Sequence, residues 1–159
     1  MCRRTGLVSA VLCVLLVMLC AASSAHAQCS SSNCQIILSG TALPATGSQC
    51  TPWGLWVWSE PNTNNAYGND GDGSIYFYGI HKAEAHVEAS DVILTGSSVS
   101  ETLSGAYPDG TAVSCTLAAH QTSPGKGVLD SMSCTVGTKS CSAPVGGIPI
   151  TVDISNVKN

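Results

Sequence analysis

Residues 53–58 read Trp-Gly-Leu-Trp-Val-Trp, and residues 75–78 read Ile-Tyr-Phe-Tyr. Because side chains alternate between the two faces of a strand, each run has two distinct faces if it is read as a strand. One face is mainly aliphatic and is sufficient to fill a core. The other is entirely aromatic and is therefore either a second buried layer or a contact surface. The first face comprises Leu55, Val57, Ile75 and Phe77, and the second comprises Trp56, Trp58, Tyr76 and Tyr78.

The two aromatic runs are predicted to form an antiparallel hairpin in which Trp58 lies opposite Tyr76. In the same register Trp56 lies opposite Tyr78, and cross-strand aromatic pairs of this kind stabilise a hairpin. A strand that is apolar on both sides is usually buried on both sides, which favours a covered aromatic face. The alternative is an exposed surface that binds carbohydrate or a protein partner, with Tyr67 of the intervening loop as a further contact.

The rest of the chain also reads as strands, because short apolar runs rich in Val and Thr alternate with turn residues. The segment 82–89 has the Ala and Glu content of a helix, but its strict alternation favours a strand. We predict an all-β fold, a single disulfide-stabilised antiparallel two-layer β-sandwich of immunoglobulin-like architecture. Its strands are predicted at 34–41, 54–59, 74–80, 83–89, 92–95, 98–104, 111–118, 128–136 and 148–155.

The N-terminal segment has the pattern of a secretory signal peptide. Two arginines precede an apolar run over 7–22, and a small-x-small cleavage site follows at 25–27. Residues 1–27 are therefore predicted to be a cleaved signal peptide and residues 28–159 a single β-sandwich domain. We expect a secreted protein, extracellular or periplasmic, with no transmembrane segment after signal cleavage.

Cleavage at that site would leave six of the nine cysteines, enough for three disulfides with fifteen alternative connectivities. Cys29 and Cys34 are near enough in sequence to close a small loop. Cys115 and Cys134 occupy inward positions of neighbouring predicted strands. A zinc site is the weaker interpretation, because no Cys-x-x-Cys pair occurs among the six. The six are Cys29, Cys34, Cys50, Cys115, Cys134 and Cys141.

The charge balance excludes several classes of partner. After removal of the predicted signal peptide, four lysines and no arginine stand against ten acidic residues, a net charge of about −6 with neutral histidines. No basic patch is available to neutralise phosphates, so nucleic acid is not an expected partner. Attraction to an anionic membrane surface is disfavoured for the same reason.

The long loop 60–73 contains a candidate calcium site. Its end carries two aspartates separated by glycine, but glycines occupy the first and last ligand positions that an EF-hand would need. A looser calcium site using Asn69, Asp70 and Asp72 is the remaining metal hypothesis. Plain turn chemistry is the favoured interpretation, because Asp-Gly pairs are common in turns.

A second candidate metal site lies on one face of the predicted strand 83–89. Glu84, His86 and Glu88 share that face, and two carboxylates beside an imidazole could hold zinc or copper or serve in acid–base chemistry. The simpler interpretation is an exposed polar face that also carries Lys82.

No motif for nucleophilic catalysis is present, since the chain lacks a Gly-x-Ser-x-Gly elbow. The leading hypothesis is a non-catalytic exported protein that binds carbohydrate or a protein partner through the aromatic hairpin, with no cofactor. One alternative is a small metal-binding protein or metal-dependent hydrolase, with calcium or zinc at the acidic positions above. Another is an architectural envelope or surface protein with no discrete ligand.

Overall fold

A computed structural model of the chain describes residues 34–61 and 70–156. Nine strands account for most of these residues, and none of the described residues is helical. No helix suited to crossing a membrane therefore occurs in this part of the chain. The strands are β1 (Cys34–Leu43), β2 (Trp53–Ser59), β3 (Gly71–Phe77), β4 (Ala85–Thr95), β5 (Ser98–Ala106), β6 (Ala112–Ser123), β7 (Lys126–Val136), β8 (Lys139–Ser142) and β9 (Ile148–Asn156).

Eight of these strands close into an antiparallel β-barrel. Strands β1 to β7 are neighbours in chain order, so they form a continuous meander. Strand β9 then joins its two ends: its first residues pair with β7 and the remainder pairs with β1. The short strand β8 pairs with β7 and, through an isolated bridge from Ser142, with Thr46, and it lies outside the ring.

The predicted two-layer sandwich of immunoglobulin-like architecture is therefore wrong. Alternating polar and apolar residues are typical of both sandwiches and barrels, so the pattern does not distinguish a closed sheet from two packed ones. Tight coiling of the sheet depends on glycines in β3 and β5. A Cβ at Gly73 would collide with the carbonyl oxygen of Trp56, and one at Gly105 with the carbonyl oxygen of His86. Glycine at such positions is a recognised source of sheet curvature.

The barrel interior is the hydrophobic core. The four residues predicted to face inward from the hairpin, Leu55, Val57, Ile75 and Phe77, are all buried. Trp53, to which the sequence analysis assigned no face, is also fully buried. Its ring stacks on Phe77 with centroids 5.8 Å apart, and its Nε1 donates to the Pro44 carbonyl oxygen at 2.8 Å.

The strand predictions are largely confirmed, with three differences. The predicted strands 83–89 and 92–95 are merged from residue 85 onwards into one strand, β4, which has a register irregularity between Ser90 and Ile93. Strand β3 begins at Gly71, inside the predicted loop 60–73, and ends at Phe77, so Tyr78 lies in the turn beyond it. Strand β8 was not predicted, because four residues are too few to show alternation.

Disulfides cross-link the wall of the barrel and one of its ends. Cys115 and Cys134 lie directly opposite each other on β6 and β7 and are bonded. Cys50 is bonded to Cys141, which fixes β8 to the connection between β1 and β2. Their sequence separations of 19 and 91 residues correspond to about 3 and about 4–5 kcal/mol of loop-closure stabilisation. Cys34 is also disulfide-bonded, whereas Cys29 and the predicted signal peptide lie outside the described residues.

Candidate binding site

The aromatic residues of β2 and β3 pair in a different register from the predicted one. Trp58 lies opposite Asp72, Trp56 lies opposite Ser74, and Tyr76 lies opposite Gly54. The predicted pairs, Trp58 with Tyr76 and Trp56 with Tyr78, are wrong by four residues. An even shift preserves the face on which each side chain lies, so the aromatic residues of the two strands still face away from the core.

The rings on this outer wall differ in exposure. Trp56 is 52% exposed and Tyr78 is 50% exposed, whereas Trp58 is half-buried. Tyr76 is only 8% exposed, because its ring covers Gly54 on one side and lies 4.4 Å from the ring of Tyr78 on the other. Tyr76 is therefore a structural residue that fills the space above a glycine. Among residues 34–61 and 70–156, no second layer buries Trp56.

Small hydroxyl side chains flank Trp56 on the neighbouring strands. Ser39 of β1 lies opposite it on one side and Ser74 of β3 on the other, and both are half-buried. His86 of β4 lies opposite Ser74 and is exposed. An open tryptophan face is thus bordered by groups that can donate and accept hydrogen bonds.

Acidic side chains lie beside Trp58. Asp72 is directly opposite Trp58, and Glu88 of β4 is directly opposite Asp72. Side chains in such positions have Cβ atoms about 4.5–5.5 Å apart. The residues predicted to form separate aromatic and acidic sites therefore share one surface. We call this surface the outer platform, and it consists of Trp56, Trp58, Asp72, Ser74, His86 and Glu88.

The other predicted metal ligands do not join the outer platform. The carboxylate of Asp70 accepts a hydrogen bond from the Val92 backbone N–H at 3.3 Å. Glu84 is exposed and precedes β4. Within residues 34–61 and 70–156, no group of three or more His, Cys, Asp or Glu side chains is arranged to hold a metal ion. Asn69 and Tyr67 lie outside the described residues.

A shallow groove of about 550 Å³ adjoins the outer platform across β1. It shares Ser39 with the row that contains Trp56, and it continues past Thr151 of β9 towards Lys126 of β7. Its lining contains neither an aromatic ring nor a carboxylate. The groove extends the outer platform in the direction perpendicular to the strands.

One buried acid was missed by the sequence analysis. Glu101 of β5 points into the barrel and is 3% exposed. The Ser59 hydroxyl donates to Glu101 Oε2 at 2.9 Å, and Oε1 has no partner within the described part of the chain. Burial raises the pKa of Glu101 to about 7, while the Ser59 hydrogen bond acts in the opposite direction. Alternation within the predicted strand 98–104 places Glu101 on the same face as Val99 and Leu103 and could have revealed it.

A second cluster lies just beyond the ends of β3 and β5. The ring of His81 stacks on Tyr107 at 4.1 Å, and its Nδ1 lies 3.6 Å from Asp109 Oδ2. The Tyr107 hydroxyl accepts a hydrogen bond from the Phe77 backbone N–H at 3.2 Å, and burial raises the pKa of this phenol. Hydrogen bonds from Thr111 lower the pKa of Asp109. These contacts hold the turn after β5 against the barrel.

Comparisons with protein-family models, with curated proteins and with solved structures find no match for this chain. The geometry of the outer platform is therefore the basis for the function proposed below.

Proposed function

We propose that this protein is an exported, non-catalytic binding protein that holds a carbohydrate chain on the outer platform. The observation that supports this proposal is the exposure of Trp56 in the middle of a strand, at 52%, with hydroxyl groups on both sides. An indole that could be covered by neighbouring side chains is instead left in water, which costs free energy in proportion to its apolar area. Exposed aromatic patches of this kind commonly mark binding sites.

Carbohydrate suits the chemistry of this surface. The apolar face of a sugar ring can stack on the flat face of an indole, while its hydroxyl groups need hydrogen-bonding partners around the ring. Ser39, Ser74 and His86 supply such partners beside Trp56. Trp58 is two residues away on the same face, about 7 Å along the strand, and offers a second stacking position.

The shape of the surface favours a chain over a single sugar. The groove that begins at Ser39 is open and lies next to the tryptophan row. Its lining combines serine, threonine and glycine residues with Leu43, Lys126, Val128, Pro149 and Ile150. A polymer that stacks on Trp56 can continue into this groove without bending around a wall. The two disulfides among the described residues are consistent with an extracellular setting, where polysaccharides are available.

The test is binding of the purified mature protein to a panel of soluble neutral polysaccharides, measured by affinity electrophoresis and then by calorimetry. Replacing both Trp56 and Trp58 by Ala should weaken binding by at least about tenfold, which corresponds to 1.4 kcal/mol. The melting temperature should change little, because neither ring fills the core.

The matched control is Ile93→Ala, which removes a large apolar side chain that is 56% exposed on β4. This variant should bind as the unmodified protein does. Undiminished binding by the double tryptophan variant would show that the outer platform is not the carbohydrate site.

A further inference from the structure

We propose that the outer platform selects glycans that carry free, protonated amino groups, such as glucosamine oligosaccharides, over neutral and acidic ones. This inference rests on the proposed function and specifies its ligand class. It is based on the acidic residues in the cross-strand row of Trp58 and on the absence of any described lysine from the five strands of this wall, β9, β1, β2, β3 and β4.

The first observation is an uncompensated pair of like charges. Asp72 and Glu88 are exposed and lie directly opposite each other on β3 and β4. Like charges in this relation destabilise a sheet. Within the described residues, neither side chain forms a hydrogen bond or an ion pair; the only two carboxylate–imidazole contacts are His81 with Asp109 and His120 with Asp130.

The second observation is that the cross-strand row through Trp58 carries acidic residues on both sides of it, one adjacent and one two strands away. Asp72 is its direct neighbour on β3. On the other side, Ile37 of β1 is opposite Trp58, and Asp153 of β9 is opposite Ile37. The row across the wall therefore has an indole at its centre and acidic groups towards each end.

No described lysine or arginine lies in this wall to balance those charges, and the only described imidazole on the outer platform is that of His86. Lys82 precedes β4, Lys126 is in β7 and Lys139 is in β8, so none belongs to β9, β1, β2, β3 or β4. Lys139 is also engaged, since its Nζ donates to the side-chain carbonyl of Gln49. Apart from the imidazole of His86, no described basic side chain belongs to the outer platform.

A sugar ring that carries an ammonium group suits both the indole of Trp58 and the carboxylates beside it. A ring stacked on Trp58 places its substituents within reach of Asp72 and Glu88, where an ammonium can form charge-assisted hydrogen bonds. The same cation is attracted to the face of an indole. An N-acetyl group offers no charge to these carboxylates, and a uronic acid is repelled by them.

The experiment compares three soluble oligosaccharides of equal length by calorimetry at about pH 5.5 and low ionic strength, where sugar amines are protonated. The three are a glucosamine oligomer, its fully N-acetylated form and a uronic acid oligomer. The glucosamine oligomer should bind at least about tenfold more tightly than the acetylated form, and added salt should reduce this preference.

The Asp72→Asn/Glu88→Gln double variant should lose the preference while keeping the weaker binding of the acetylated oligomer. The control is Asp91→Asn, which removes an exposed acid from β4 at a residue with φ 53°. Asparagine tolerates that backbone conformation, so the control changes charge without adding strain. It should keep the full preference.

The outcomes separate this inference from the proposed function. Equal binding of the glucosamine and acetylated oligomers, lost on replacement of Trp56 and Trp58, would overturn the amine preference and leave carbohydrate binding intact. An absence of binding to every oligosaccharide would overturn both. If a lysine-rich peptide displaced the glucosamine oligomer and bound equally well without the two tryptophans, the surface would recognise charge alone, which also contradicts the inference.

Discussion

The inner and outer faces of β2 place two tryptophans of the same short run in opposite environments. Trp53 is fully buried, stacked on Phe77 and hydrogen-bonded through its indole nitrogen. Trp56, three residues later, is 52% exposed and has only small side chains as direct neighbours. The same residue type therefore stabilises the barrel at one position and offers a stacking surface at the other.

The difference shows how a closed barrel uses an aromatic-rich strand. Side chains alternate between the two faces of a strand, so Trp53, Leu55 and Val57 of β2 fill the interior while the residues between them face outward. No second sheet or helix among the described elements packs on the outside, in contrast to a sandwich or an α/β fold. An aromatic residue on the outer face consequently has two options. It can pack locally, as Tyr76 does over Gly54 and beside Tyr78, or it can be left in water.

The largest expected effect on stability comes from the inner face. Trp53→Ala removes the biggest fully buried side chain and should lower the free energy of unfolding by about 3–5 kcal/mol, measured by urea denaturation. The matched outer variant Trp56→Ala should change it by no more than about 0.5 kcal/mol. Equal losses in the two variants would remove the distinction between the two faces.

The inner and outer faces of the barrel can also be compared through their acidic residues, by the pH dependence of the free energy of unfolding. Glu101 is inside the barrel with a pKa raised to about 7 from 4.5, whereas Asp72 and Glu88 are outside. Because the folded state holds the Glu101 proton more tightly, the contribution to stability is fully present below about pH 4.5 and is lost as the pH rises through 7. The shift corresponds to about 3 kcal/mol.

Glu101→Gln should flatten this part of the stability profile, because a neutral amide has no proton to lose. Guanidinium unfolding curves at intervals between about pH 4 and 8 provide the measurement, with the outer variant Glu88→Gln as the control that retains the slope. A profile that is unchanged in Glu101→Gln would show that the buried carboxyl is not the titrating group.

Most of the correct predictions came from the alternation of polar and apolar residues along the chain. It located the strands, put Leu55 and Phe77 inside, and resolved the segment 82–89 in favour of β4 despite its Ala and Glu content. It could not distinguish a barrel from a sandwich, because closure depends on the pairing of β9 with both β7 and β1. The pairing of β9 with β1 joins residues more than a hundred positions apart and leaves no local signal.

At the candidate site, too, local alternation predicted the face of each side chain but not its neighbours on the next strand. Alternation along each strand correctly predicted that Trp56, Trp58 and Glu88 face outward. It did not predict which residues lie opposite them, because the predicted register between β2 and β3 was wrong by four residues. The correct register depends on Gly73, whose missing side chain allows β3 to approach the backbone of β2. Only with that register does Asp72 fall between Trp58 and Glu88, which joins two predicted sites into one surface.

The smallest expected effect tests whether the like charges of Asp72 and Glu88 lower the free energy of unfolding. Asp72→Asn removes one of two like charges that face each other across β3 and β4, so it should raise the free energy of unfolding by about 0.2–1 kcal/mol. The gain should shrink with added salt, because exposed charges are screened. Asp91→Asn, which has no acid opposite it, should show no such gain. A loss of stability in Asp72→Asn would mean that this carboxylate supports the hairpin, and its position beside Trp58 would then have a structural explanation.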